Sequence, residues 1–306
     1  MEKIILFGAG TRLDAMMEIN KFEGYDIVAI VDSDEKKQNE LCYGHIIQKP
    51  EDIHKLDYDR IIISSEKYFD EIKKMLVDDL NISSVLIGNI TMDKYDFELS
   101  YWQNQYKKEG GRFNNTHYKA LMLAIAEEEN DDFWQGRVVA DFGCGPRGSL
   151  AWTDTPAIKL GIDVLASRYM KLFGDELKTH NMVYVVSDEK RIMIPDNYVD
   201  CLLTMNSLDH VADMGAMVSE ILRILKPGGQ LLASFNLNEP PTVCEPLTLT
   251  EELLNEHFLK YFKIISYRKA FKDEKEISSI NLFKSQRVYE PDNNQPILLW
   301  VKGEKL

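Results

Sequence analysis

A chain of 306 residues with 44% hydrophobic and 28% charged residues is long enough to bury the cores of two ordinary globular domains. Its formal net charge of −14 works against the phosphate backbones of nucleic acids, so neither DNA nor RNA is expected as a partner. No apolar run approaches the roughly 20 residues that span a bilayer, so no membrane partner is expected either.

The four cysteines, Cys42, Cys144, Cys201 and Cys244, form no CxxC pair. Neither a disulfide framework nor a zinc site is expected, and no other metal site. The first residues read as a strand rather than a signal peptide, and the expectation is a cytoplasmic protein.

In chain order, a strand is expected over residues 3–7, then Gly8-Ala9-Gly10 and a helical pattern over 13–22. Strands at 26–31, 46–47, 59–64 and 85–87, with a helix at 68–80, continue the alternation and predict a small α/β unit with a parallel sheet. Gly8, Gly10 and Asp32, the last at the end of the second strand, resemble a dinucleotide fingerprint, although Leu13 stands in place of the third glycine. The pattern turns helical from 91 to 132. An aromatic-rich helix over 97–108 carries Tyr101, Trp102 and Tyr106, the turn Gly110-Gly111 follows, and a second helix covers 117–127. The predicted organisation is a small Rossmann-like domain over 1–90, a helical linker or lid over 91–132, and a second α/β domain over 133–306.

In that second domain, strands are expected at 138–142, 157–162, 182–186, 199–205, 229–235, 261–267 and 297–302, and helices at 169–178, 214–225 and 250–257. The basic stretch 268–275, interrupted by Asp273 and Glu274, reads as a solvated loop or edge. Residues 138–150 are the most informative. A β-branched run ends in Asp141, and Gly143, Gly145 and Gly148 follow. With the helix expected next, this strand and turn make a nucleotide-type crevice. Asp163 ends the second strand, where a carboxylate can accept from both hydroxyls of a ribose. Asp188 and Glu189 end the third, where an acid can accept from an adenine amine. Asn206 ends the fourth, beside the crevice.

These linked motifs resemble the class I S-adenosylmethionine-dependent methyltransferases, in the branch called the type 11 domain, from about residue 133 to the last. Asp141-Phe142-Gly143-Cys144-Gly145 resembles the family's first motif. Asp163 falls at its ribose-binding acid, and Asp188 at its adenine-contacting acid, with Glu189 able to share that role. Residues 206–213 resemble its loop after strand four, and Ile221 to Gly229, ending Lys226-Pro227-Gly228-Gly229, its approach to strand five. Two departures stand out. Pro146-Arg147 moves the third glycine to Gly148, and Ile192-Met193 replaces an aliphatic-Pro pair. The resemblance implies a fold of class α/β with two Rossmann-like domains, the second a seven-stranded sheet with an antiparallel last strand. It also implies S-adenosyl-L-methionine as cofactor and a small-molecule acceptor.

On the acceptor side, His210 and Asp209 are candidates for the general base, and His117 for a group closing over the site. Each also has a bland reading: His210 as a structural loop histidine, Asp209 as a helix cap, Asp141 as a cap of the helix after its turn. Tyr106, Gly111 and Phe113 would line a lid, or pack as core. Glu245, in a long loop after the fifth strand, is a candidate to bind an acceptor hydroxyl.

The first 89 residues resemble the Rossmann-like N-terminal domains of bacterial sugar-modifying enzymes, which implies a nucleotide-sugar as ligand or acceptor. A unit that only packs, or that mediates a homo-oligomer, is the competing reading. Two further alternatives remain open. One is an NAD-dependent oxidoreductase using Gly8, Gly10 and Asp32, for which no Tyr-x-x-x-Lys pair is present. The other is a cofactor-binding assembly protein without turnover.

Overall fold

In the computed structural model, which describes residues 1–272, 279–284 and 295–306, the chain divides into two compact units, Met1–Asn104 and Gln105–Leu306. The first unit runs β1 (Glu2–Phe7), α1 (Thr11–Glu18), β2 (Tyr25–Val31), the two-residue strands β3 (Leu41–Cys42) and β4 (His45–Ile46), β5 (Arg60–Ile63), α2 (Phe69–Asp78) and β6 (Ile87–Asn89). β2, β1, β5 and β6 pair side by side, all parallel. A run such as Ile61-Ile62-Ile63 suits a strand buried on both faces. Ile5, Phe7, Ile61 and Ile63 enter one apolar cluster, and Ile4, Leu6 and Ile62 the other. The strand expected at 85–87 begins only at Ile87, because Ser84–Leu86 forms a 3-10 turn.

Helix α3 (Lys94–Lys108) starts in the first unit and ends in the second. The second unit continues with α4 (His117–Ala126), β7 (Val138–Phe142), β8 (Ile158–Asp163), α5 (Ala166–Leu177), β9 (Val183–Val186), β10 (Val199–Met205), α6 (Met214–Ile224) and β11 (Leu225–Leu237). It closes with α7 (Glu251–His257), β12 (Phe262–Phe271), α8 (Ser279–Lys284) and β13 (Ile297–Lys305). The sheet order is β12-β13-β11-β10-β7-β8-β9. β13 is antiparallel to both neighbours, and the other pairs are parallel. This is the expected seven-stranded sheet with an antiparallel last strand. β7 sits between β8 and β10, so the strand order reverses beside it, and the crevice at such a switch point is where open α/β sheets bind ligands.

Alternation along β7 feeds two cores. Ala140 and Phe142 join Met217, Ile221 and Ile224 of α6. Val139 joins Leu121, Met122 and Ile125 of α4 and Leu282 and Phe283 of α8. The motif Lys226-Pro227-Gly228-Gly229 loops out of β11, since Leu225 pairs with Val199 while Gln230 pairs with Cys201. Lys226 Nζ lies 2.5 Å from Asp200 Oδ1, and Asp200 Oδ2 accepts from Val138 N–H at 2.8 Å. One lysine and one acid thus tie β11, β10 and β7 together where the last two begin.

The second unit departs from the expected element bounds at three places. No α-helix forms between β7 and β8, because Pro146, Gly148 and Pro156 crowd that connection. Turn bonds form there instead, Ala151 N–H to Gly148 O (3.0 Å) and Thr153 N–H to Leu150 O (3.5 Å). Asp141 therefore has no following helix to cap. Second, α8 was not anticipated. Its Leu282 and Phe283 are buried, and the Phe283 ring meets Trp300 edge-on at 5.3 Å. Third, β12 continues through Phe271 as the sheet's outer strand, so Arg268 and Lys269 are edge residues, while Asp273, Glu274 and Lys275 lie outside the described residues.

Candidate active site

The chain leaves β7 through Gly143 at φ +70°, and a Cβ there would sit 2.2 Å from the Cβ of Ser207. Only glycine lets the ends of β7 and β10 come this close. Ser207 Oγ donates to Phe142 O at 2.7 Å and shares a hydrogen bond with Thr204 Oγ1 at 2.8 Å. Gly145 N–H donates to Asp163 Oδ2 at 3.0 Å, and Leu165 N–H to Asp163 Oδ1 at 2.8 Å. The acid at the tip of β8 therefore also holds the glycine turn in place. Gly148, at φ +72°, backs onto the ring of His180.

Asp141 is 2% exposed. Its Oδ2 accepts from the Ser149 hydroxyl, while Oδ1 is buried with no partner in the protein. Burial pushes its carboxyl up to about 7, against the pull of the Ser149 hydrogen bond and with a push from Asp163. A carboxyl whose pKa is higher folded than unfolded costs stability as pH rises from its ordinary value of 3.8 towards 7. Asp141→Asn removes that cost. Its melting temperature should exceed the wild type's by more at pH 8 than at pH 5. Equal gains at the two values would show that Asp141 ionises normally.

The remaining donor-side candidates have structural partners. Asp188 is exposed, and its Oδ1 accepts from Lys190 N–H (2.7 Å) and Arg191 N–H (2.6 Å), closing its own turn. Glu189 Oε2 accepts from Ala212 N–H at 3.0 Å, fastening that turn to the segment after β10. Asn206 is left-handed at φ +52°, and its Oδ1 accepts from Ser234 Oγ at 3.0 Å.

On the other side of β10 the fold brings together Asp209, His210 and Glu245, with one donor atom of each within 4.8 Å of the others. His210 Nε2 is 3.7 Å from Glu245 Oε1. Asp209 is 5% exposed, and its Oδ1 is buried without a partner. Burial pushes its carboxyl up, opposed by the neighbouring His210. The loop bearing Glu245 is tied down by Asn238 N–H to Leu249 O (2.9 Å), Leu247 N–H to Asp209 O (3.2 Å) and Thr242 Oγ1 to Glu245 Oε2 (3.2 Å). Helix α6 is capped by Asp213, which accepts from Ala216 N–H at 3.0 Å, so Asp209 is not its cap.

Tyr106 and His117 stand outside this group. Tyr106 packs against Phe113 (5.0 Å) and Phe173 (5.1 Å), and His117 lies exposed on the first turn of α4, its ring 4.1 Å from that of Tyr118. Arg147 was not singled out from the sequence. It donates to Asn114 O (2.6 Å) and Glu109 Oε2 (3.0 Å), with its guanidinium 5.7 Å above the Phe113 ring. It fastens the segment before β7 onto the glycine turn. The Pro146-Arg147 departure was the available signal, but the partners lie far off in sequence.

In the first unit, a cavity of about 710 Å³ lies beyond the ends of β1, β2 and β5, lined in part by Gly8, Gly10, Arg12, Asp32 and Lys37. Ala9 N–H donates to Asp32 Oδ2 at 2.7 Å and Asp34 N–H to Asp32 Oδ1 at 2.8 Å. The pattern repeats that of Gly145, Leu165 and Asp163. Lys37 Nζ adds a third bond to Asp32, at 3.0 Å.

Comparison with known proteins fits this division. Residues 140–233 match the family described as "Methyltransferase domain", and residues 1–87 that described as "C2185-like, N-terminal". The sterol 24-C-methyltransferase of Aspergillus fumigatus is 30% identical over 118 residues, 37% of this chain and 29% of that one. The ubiquinone/menaquinone biosynthesis C-methyltransferase of Francisella philomiragia is 26% identical over 163 residues, 47% of this chain and 65% of that one. This chain thus spans less than two thirds of the curated relatives it matches. A solved S-adenosylmethionine-dependent methyltransferase from Mesorhizobium loti is 15% identical with a TM-score of 0.43, covering 56% of this chain and 92% of that one. The Gln105–Leu306 unit holds a methyltransferase domain, a class whose cofactor is S-adenosyl-L-methionine. Among the described residues, no helix is long and apolar enough to cross a membrane.

Proposed function

We propose that the chain is an S-adenosylmethionine-dependent methyltransferase of the cytoplasm that O-methylates a small acceptor, a sugar hydroxyl on a nucleotide-sugar or glycan precursor. The observation that carries the donor half is Asp163, fixed at the tip of β8 against the Gly145 turn beside the switch point of the sheet. The cofactor supplies a methyl group on a positively charged sulfur that leaves as a neutral thioether.

In this reading Asp163 accepts from the ribose hydroxyls, Asp188 and Glu189 border the adenine, and Asn206 edges the crevice beside Gly143, Gly145 and Gly148. The unpartnered Oδ1 of Asp141 suits a ligand that brings positive charge to the turn. Asp209 and His210 serve the acceptor by drawing on the proton of its hydroxyl, and Glu245 orients it. Tyr106 and His117 border its entry. Alignment of acceptor and methyl supplies most of the rate, and proton removal adds to it. The sugar acceptor is supported by the resemblance of the first 89 residues to the N-terminal domains of sugar-modifying enzymes.

Calorimetry with S-adenosylhomocysteine tests the donor half. Binding is expected in the wild type and should weaken at least a hundredfold in Asp163→Ala. No binding, or intact binding in the variant, overturns the assignment. Labelled methyl transfer to a panel of nucleotide-sugars tests the acceptor. Transfer only to non-sugar metabolites would remove the sugar reading and leave the donor reading standing.

A further inference from the structure

We propose that Asp209, His210 and Glu245 form a binding site for a divalent first-row cation that takes mixed oxygen and nitrogen donors, of the Mn2+ or Zn2+ kind. Three donor atoms of the required types already converge within 4.8 Å, a spacing that a single ion can bridge. The imidazole among two carboxylates favours such an ion over Ca2+ or Mg2+, which take oxygen ligands.

The second observation is independent of that convergence. Asp209 is 5% exposed, and its Oδ1 has neither a protein partner nor access to solvent. A buried carboxylate oxygen left without a partner is costly, and native proteins rarely leave one so. The contact between His210 and Glu245 at 3.7 Å does not relieve it. A bound cation would, and would also offset two nearby negative charges.

The supports are already in place. Leu247 N–H holds the backbone of Asp209, and Thr242 Oγ1 holds Glu245 Oε2, so the two ligand-bearing segments are locked together before any ion arrives. Glu239, which also acts on Asp209, is paired with Lys272 and is not a fourth ligand. With the ion bound, Asp209 and His210 would act on the acceptor through it: the cation would hold the acceptor oxygen beside the donor crevice and ease loss of its proton, in place of direct proton removal by these side chains. Only this role rests on the proposed methyl transfer, and the binding itself does not.

The test uses the full chain, freed of metal by chelator and titrated with Mn2+ while the paramagnetic resonance signal of free Mn2+ is read. One equivalent of Mn2+ should be taken up. Asp209→Asn and Glu245→Gln should each weaken uptake about tenfold or more, at least the loss that changes around a metal site cause. Binding of S-adenosylhomocysteine, measured alongside, should be unchanged in both and reports that the variants are folded. If Asp209→Asn does not fold, Glu245→Gln decides. No uptake at about 1 mM Mn2+, or uptake unaltered by both substitutions, overturns the cation site. If S-adenosylhomocysteine still binds in that case, the donor reading survives. If it fails to bind the wild type, the donor reading falls whatever Mn2+ does.

Discussion

Gly143→Ala should destabilise the second unit by about 2–5 kcal/mol and abolish measurable binding of S-adenosylhomocysteine. Two costs add. A left-handed backbone, here at φ +70°, costs a residue with a Cβ roughly 1–2 kcal/mol. The new methyl would also lie 2.2 Å from Ser207 Cβ and 2.5 Å from its Oγ. Ser207 would have to move, breaking its bonds to Phe142 O and Thr204, at about 1–3 kcal/mol for buried polar groups left unpaired. For a unit of this size the melting temperature should fall by roughly 10 °C. Gly228→Ala is the control. Its φ is +71°, but a Cβ there meets nothing within 4 Å. It should cost only about 1–2 kcal/mol and leave ligand binding intact. Equal losses in the two variants would refute the close approach of β7 and β10 as the reason for Gly143.

Glu220→Ala should cost about 3–5 kcal/mol, the usual price of orphaning one partner of a buried charge network. Glu220, 7% exposed, accepts from Ile192 N–H (2.8 Å), from Arg223 Nε (2.8 Å) and from Arg223 Nη2 (2.7 Å). Arg223 in turn donates to Ile192 O (2.7 Å), Ile194 O (2.8 Å) and Asp196 Oδ1 (2.6 Å). Without Glu220 the guanidinium keeps those carbonyls but loses its main counter-charge, and the Ile192 N–H is left unpaired. The hydrogen bonds from Arg223, then from Ile192, hold the Glu220 carboxyl below its ordinary 4.5. Its contribution is therefore complete above that value and lost as pH falls through the lower folded value. The gap between wild type and variant, read by urea unfolding, should be widest at pH 7 and close in acid. A loss under about 1 kcal/mol at pH 7 would show that Arg223 stands without it.

Parts of the fold are legible in the linear sequence. Arg223 and Lys226 belong to the string before β11, and both tie backbone segments that the fold needs in one place. A motif that couples strand ends leaves a linear trace. The β-branched run over 138–142 and the acid at 163 were legible for the same reason, since strand tips and the turns after them are local.

Other features depend on approach through space. Asp209 and Glu245 meet because the loop after β11 folds back to give Leu247 N–H to Asp209 O. No spacing in the chain announces that contact. The helix expected after the glycine turn failed because Pro146, Gly148 and Pro156 outweighed the motif. α8 escaped notice because six residues are too few to show a helical period, and its Leu282 and Phe283 are held by packing.

Asp32 holds the glycine turn of the first unit through Ala9 N–H. A carboxylate has about four lone-pair positions with which to accept hydrogen bonds. Ala9, Asp34 and Lys37 together occupy three of those on Asp32. What remains is too little to grip a vicinal diol at two points. A sugar that is to be held there through two vicinal hydroxyls on Asp32 must first displace the Lys37 ammonium, so the acid that makes this turn look like a ribose reader acts at rest as its latch.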